Sequence, residues 1–203
     1  MKNPRSGRDQ RGFTLIEMLV VLALVAILMF ISAPAIYNAV RQGKLRGITQ
    51  EVTTLMRQAR LDAIKSSAQA VVRIVPADAT NPIPSVQAFS DRNSDGMLSA
   101  GEPVLATFPL PKGVTFLAPD STVNAASVYG FSPDPGGGGL PKIALFQRDG
   151  SVAAIGAFRF ADPNQNFMEV RVEPAATARI EVRKWDGGKW ITNGEGGKAW
   201  QWN

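Results

Sequence analysis

The chain has no cysteine and no histidine among its 203 residues. The missing thiol removes disulfide staples and thiolate nucleophiles. With imidazole also absent, Cys/His zinc sites, imidazole triads and imidazole proton shuttles go too. An export compartment stays open, since a chain without cysteine folds equally well on either side of an oxidising boundary. Charge is sparse: 19 % of residues are charged against 45 % hydrophobic, a balance foreign to disordered polar chains and to multi-span transporters alike. No internal repeat and no second domain is visible, and the length suits one domain with an appendage.

The formal charge of +5 suggests an acidic partner only if the cations are gathered on the folded domain. They are not. Residues 1–73 carry a net +7, and residues 74–203 carry a net −2. The bulk of the protein is mildly acidic, so a nucleic-acid reading based on overall charge fails.

Residues 1–12 hold Lys2, Arg5, Arg8 and Arg11 against a single acid, Asp9. From Phe13 to Ile36 the chain is apolar apart from Thr14, Glu17, Ser32 and Pro34. As a helix those 24 residues rise about 1.5 Å each, enough to cross a hydrocarbon core of roughly 30 Å. The basic flank predicts a cytoplasmic Met1, with everything after Tyr37 across the membrane. A cleaved secretory signal would share the basic leader, but its apolar core is shorter, and no small-x-small cleavage site precedes a domain here. Glu17 separates the two readings further. A carboxylate in an apolar helix is costly and marks a function with a partner charge, for which a plain anchor has no use. Pro34 lacks the amide that would bond the Phe30 carbonyl, so a kink or a short melted stretch is expected there.

Gly12-Phe13-Thr14-Leu15-Ile16-Glu17-Met18-Leu19-Val20-Val21, behind a short basic leader and ahead of a membrane-length run, resembles the start of type IV pilins and of type II secretion pseudopilins. The resemblance implies a prepilin peptidase that cuts between Gly12 and Phe13 and methylates the new amine of Phe13. It also implies that Glu17 meets the free amine of Phe13 on a neighbouring subunit, so that a buried carboxylate acquires a counter-charge and the filament a fixed register. The partners implied are other pilins or pseudopilins, the prepilin peptidase and a bacterial inner membrane, with the C-terminal domain periplasmic.

Beyond Tyr37, Leu45, Ile48, Val52, Leu55, Ala59 and Ala63 recur at three- and four-residue spacing, which predicts a helix to about Ala70 with one apolar stripe. The other faces, with Arg41, Lys44, Arg46, Glu51, Arg57, Arg60, Asp62 and Lys65, read as solvated or subunit-facing. Val71–Val75 then turns to β composition. Further short strands are expected at Val86–Phe89, Val104–Phe108, Val114–Leu117, Val128–Phe131, Ile143–Phe146, Phe158–Phe160, Phe167–Val172, Ala178–Trp185 and Lys189–Thr192. Their short connections imply antiparallel pairing, and the helical stripe needs a sheet face to cover it. The fold class is α+β: a long N-terminal helix whose second half packs on an antiparallel β-sheet domain. Asp149-Gly150 suits a tight hairpin turn, Pro133–Gly139 a mobile loop, and Trp185 and Trp190 a packed cross-strand pair. Trp200 and Trp202 suit either a partner anchor or packing on the sheet.

The run from Leu55 to Lys65 followed by a β segment, with Phe146-Gln147-Arg148-Asp149-Gly150-Ser151 further on, is similar to the GspH/FimT type of minor pseudopilin and minor pilin. The expected organisation is therefore a leader over 1–12, a transmembrane and filament-core helix over 13–36, an exported amphipathic helix over 37–70 and a β-rich domain over 71–203. The expected function is a non-enzymatic minor pseudopilin of a type II secretion pseudopilus. The alternatives are a FimT-like minor pilin that primes pilus assembly or takes up DNA, and an unprocessed single-pass binding domain. The DNA-binding motif of some FimT-like proteins, Gly-Arg-x-Arg, would fall on Ala178-Arg179-Ile180-Glu181, where the Gly and the second Arg are missing. DNA is accordingly not an expected partner.

No cofactor is required, but one segment has metal-ligand spacing. Asp91, Asn93, Asp95, Met97, Ser99 and Glu102, with Gly96 at the sharp turn, fit the twelve-residue calcium loop D-x-N-x-D-G-x-L-x-x-x-E. The flanks read as strands rather than EF-hand helices. The same pattern also suits an acidic turn between two strands that holds no ion.

Overall fold

The computed structural model describes residues 13–119, 127–135, 142–193 and 195. Its one long helix, α1, spans Leu15–Ser66, and nine strands follow. The chain divides into two compact units, one ending at Val40 and one beginning at Arg41.

In the first unit Thr14 caps the helix: its hydroxyl accepts a hydrogen bond from the Glu17 amide at 3.2 Å, satisfying one of the orphan donors of the first turn. The helix runs without interruption through Pro34, so the melted stretch expected there does not form. One missing amide costs one hydrogen bond, and the neighbouring turns keep theirs. The Ser32 hydroxyl adds a bond to the Leu28 carbonyl at 2.8 Å.

In the second unit the helix has a buried stripe: Leu45, Ile48, Val52, Leu55, Met56, Ala59 and Ala63 are all fully inaccessible. It ends at Ser66, four residues short of the expected Ala70. Ser67 takes the left-handed conformation, φ 52°, which halts an α-helix, and strand β1 begins at Gln69.

The strands form two antiparallel sheets. β1 (Gln69–Val75), β2 (Ser85–Asp91), β3 (Val104–Pro109) and β5 (Ala144–Phe146) make the first, in the order β3-β2-β1-β5. β4 (Val128–Gly130), β6 (Gly156–Ala161), β7 (Phe167–Val172), β8 (Ile180–Trp185) and β9 (Trp190–Thr192) make the second, in that order. Val114–Leu117 contributes only a bridge, Thr115 to Ala161, because Gly113 at φ 92° and prolines at 109, 111 and 119 leave little room for a ladder.

Both sheets cover the helical stripe. Val72 and Ile74 of β1, Val86 and Ala88 of β2 and Phe146 of β5 share one core with Phe158 and Phe160 of β6 and Met168, Val170 and Val172 of β7. The period-two alternation that sends these side chains inward sends Val71 and Phe89 to the other face of the first sheet, where they meet Ile143 and Leu98. Trp185 and Trp190 face each other across the β8–β9 hairpin, ring centres 5.3 Å apart in an edge-on arrangement, as expected.

Candidate functional site

Among the described residues the first unit has no core of its own. Phe13, Leu15, Ile16, Leu19, Leu22, Leu28, Phe30 and Ile31 are all exposed, Phe30 by 85 %. An unbroken apolar surface of this kind is unstable in water and requires lipid or other protein around it. Glu17 lies within this surface and is itself exposed. Among the described residues no side chain bonds its carboxylate. Phe13, also exposed, stands four residues before it. Gly12 and the rest of the leader lie outside the described residues, as do Gly136–Gly139, Trp200 and Trp202.

The calcium-patterned segment folds as a loop between β2 and β3. Asp91 is fully buried, its two carboxylate oxygens accepting from the amides of Asp95 at 3.2 Å and Gly96 at 2.8 Å. Burial pushes this carboxyl above its ordinary range, with the nearby Glu102 charge adding to the effect, while the amide bonds oppose it. Glu102 accepts from the amides of Arg92 at 2.8 Å and Ser99 at 2.9 Å. Asp95 accepts from the Met97 amide at 2.7 Å, which holds it below the usual range. Asn93 donates its side-chain amide to Asp95 at 2.7 Å. Among the described residues no group of three or more acidic side chains converges as a metal cage would require. Instead the loop is closed by its own hydrogen bonds. It is also packed down, because a Cβ on Gly96, at φ 74°, would stand 2.7 Å from Pro135 and 3.5 Å from Ile143.

The Phe146–Ser151 segment seats a turn on the helix. Gly150, φ 81°, donates its amide to the Gln147 carbonyl at 2.9 Å, and its own carbonyl accepts from Arg60 Nε at 2.8 Å. A Cβ at this glycine would fall 2.7 Å from Ile64 Cδ1. The turn and the helix therefore meet at a position where only glycine fits both the backbone angle and the space. Asp149 secures the turn from inside by accepting from the Ser151 amide at 2.9 Å.

A further cluster escaped the sequence reading. On the outer face of the second sheet, register aligns Arg159 with Glu169 and Glu169 with Arg183, and one step along aligns Arg171 with Glu181. Arg159 Nε lies 3.1 Å from Glu169, with the two side chains 4 % and 0 % exposed. Arg171 and Arg183 both bond Glu173, and Arg183 and Arg179 both bond Glu181. The Arg159 guanidinium lies over the rings of Tyr129 and Trp190, 5.1 and 5.3 Å from their centres. Burial lifts the Glu169 carboxyl above its usual range despite three arginines. At Glu173 burial pushes the same way, but the bonds from Arg171 and Arg183 together outweigh it and hold the group low. The signal was present as charges at alternate positions, Glu169, Arg171 and Glu173, then Glu181 and Arg183. Only pairing reveals that they form one ladder.

Fold and surface together define a helix-anchored α+β subunit with its apolar half built for a non-aqueous or multimeric setting. Comparison with known families agrees. Residues 7–33 match the prokaryotic N-terminal methylation motif, and residues 49–183 match the type II transport protein GspH. The chain belongs to the GspH family. It is a minor pseudopilin of the type II secretion kind, processed by prepilin peptidase. No curated protein and no solved structure gives a significant match to the chain.

Proposed function

We propose that the chain inserts with its leader in the cytoplasm and its β domain in the periplasm, is cut between Gly12 and Phe13, and then joins a pseudopilus through the apolar half of α1. The observation that supports this is the pairing of an entirely exposed apolar helix surface with a carboxylate, Glu17, that has no partner within its own described chain. A neighbouring subunit's Phe13 amine supplies the missing charge, and the surrounding helices supply the low-dielectric setting that makes the pair selective for register. The protein acts by assembly and recognition and performs no catalysis. Mass spectrometry of the membrane-extracted protein tests the first step: N-methyl-Phe13 at the amino terminus supports it, and an intact Met1 overturns it. Site-directed cross-linking between helices of co-expressed subunits tests the second, with Glu17→Ala expected to abolish the adducts.

DNA uptake, the activity of some FimT-like minor pilins, is not part of this reading. Arg179 and Arg183 are engaged by Glu181 and Glu173, which leaves little cationic surface to follow a phosphate backbone. Calcium at Asp91–Glu102 is a second proposal, favoured by the sharp turn at Gly96 and by the sequestered Asp91 carboxylate. Asp91, Asn93, Asp95 and Ser99 would offer side-chain oxygens and Met97 its carbonyl, with Glu102 exchanging its amide bonds for the ion. Calorimetric titration with calcium decides the matter. Heat together with a raised melting temperature, both lost in Glu102→Gln, supports the site, and silence at millimolar calcium leaves a structural turn.

A further inference from the structure

The first sheet ends at β3, which among the described residues has no strand on its other side. Leu110 donates its amide to the Pro84 carbonyl at 2.9 Å, so alternation along the ladder makes Thr107 and Gln87 a pair without mutual main-chain bonds. Their side chains meet instead, the Gln87 amide donating to the Thr107 hydroxyl at 3.3 Å. The main-chain amide and carbonyl of Thr107 therefore face the open edge. Pro103 and Pro109 bracket the stretch, and proline on an edge strand keeps an exposed ladder short. The edge has room for one short extended segment.

Beside that edge, between α1 and Leu105, runs a groove of about 360 Å³ whose helical wall includes Arg57, Leu61, Asp62 and Lys65. Leu61 is 53 % exposed. Asp62 Oδ2 is shielded from water yet accepts no hydrogen bond, a costly state for a carboxylate oxygen. Arg57 and Lys65 are exposed, and no described residue pairs with either. The eight positions from Arg57 to Lys65 rise about 12 Å along the helix, and four residues of extended chain cover about 13 Å. Strand positions i, i+2 and i+4 share a face. Acids at i and i+4 of an extended segment thus match the two cations, and a hydroxyl at i+2 offers Asp62 the donor it lacks. A third cation at i+2 would stand between Arg57 and Lys65, so a neutral donor suits the middle better. Glu51, also exposed on α1, lies outside the groove.

We propose that the β3 edge and this groove take an extended acidic segment of a partner polypeptide as one further strand of the first sheet. Its main chain pairs with Thr107, its acids meet Arg57 and Lys65, and its central hydroxyl donates to Asp62 beside Leu61. Every residue involved belongs to the second unit, so occupancy is independent of leader cleavage and of membrane insertion.

The probe is the peptide acetyl-Glu-Val-Thr-Val-Glu-amide, titrated into the full chain in detergent micelles, with deuterium exchange of the Thr107 amide as the readout. At ten times its Kd the peptide should slow that exchange about tenfold. N-methylation of alternate peptide residues should abolish binding in one phase and spare it in the other, as main-chain pairing requires. The analogue with Lys in place of both Glu should bind about tenfold more weakly, and Arg57→Glu/Lys65→Glu should invert the preference. Thr107→Pro should abolish binding with an unchanged melting temperature. If that variant does not fold, the N-methylated peptides and the charge inversion, which touches only exposed side chains, still decide. Unchanged Thr107 exchange at millimolar acidic peptide overturns the proposal, as does equal affinity for the two peptides or binding that both N-methylated forms retain. Self-association of the chain that excludes the peptide assigns the edge to a second copy and overturns it too.

Discussion

The two stretches of α1 are written in the same helical alphabet and meet opposite fates. Between Phe13 and Val40 nearly every large side chain is exposed, while between Leu45 and Ala63 one stripe is sealed under two sheets. The same contrast holds for carboxylates. Glu17 lies on an uncovered apolar surface with no partner within its described chain, and Glu169 lies at zero exposure beside Arg159. One half of the molecule carries its complement inside the fold; the other leaves it to be supplied by lipid or by other subunits. That division is what a subunit that folds alone but functions only in an assembly requires.

The largest expected effect comes from removing the charge whose partner lies outside. Glu17→Val should abolish incorporation into filaments, read by cross-linking of co-expressed subunits, while leaving the thermal melting of the β domain unchanged. Arg159→Met should do the reverse. It strips the fully buried Glu169 of the guanidinium beside it and should lower stability by about 3–5 kcal/mol in chemical denaturation, because a buried charge is left uncompensated. Leu55→Ala, at zero exposure, should cost about 2–5 kcal/mol, whereas Leu28→Ala, 66 % exposed, should not move the domain's unfolding midpoint in detergent. Equal effects of the two leucine changes would break the comparison. Gly150→Ala should cost about 1 kcal/mol or more, since it combines a strained backbone angle with a Cβ pressed against Ile64.

The smallest effect is the pH dependence. Glu173 is held below the ordinary carboxylate range, so its contribution is present above a pH of about 4 and is lost as acid protonates it. Glu169 is raised, so the folded state takes up its proton more readily than the unfolded chain, and that contribution grows on acidification. Glu173→Gln should therefore flatten the acid limb of stability against pH, and Glu169→Gln should steepen it, with denaturant midpoints measured between about pH 3 and 6 as the check.

Much of the fold could be read from periodicity. The stripe from Leu45 to Ala63 has helical spacing and is buried, and Phe167–Val172 alternates and is strand β7. Where the reading slipped, the cause was local. The three- and four-residue spacing from Leu45 to Ala63 carries the expected end of α1 to about Ala70, but the left-handed Ser67 ends it first. Val114–Leu117 has strand composition, yet the glycine and prolines around it limit it to the single bridge from Thr115 to Ala161. The candidate site divides in the same way. The apolar run and Glu17 stand out because a carboxylate in such a run is rare, whereas the Arg159–Glu169–Arg183 ladder joins residues far apart in the chain and has no local signature.

The amino-acid sequence by itself determined the membrane-length helix, its acidic residue, the basic leader and the amphipathic continuation, because each is a pattern of side chains along one element with a fixed 1.5 Å rise. Tertiary structure alone decided that the strands split into two sheets sharing one helix, that Gly150 locks a turn onto Arg60 and Ile64, and that scattered arginines and glutamates become a buried ladder. Those outcomes depend on strand register and on which elements approach each other, and contacts between residues distant in the chain are set by packing rather than by the local order of residues.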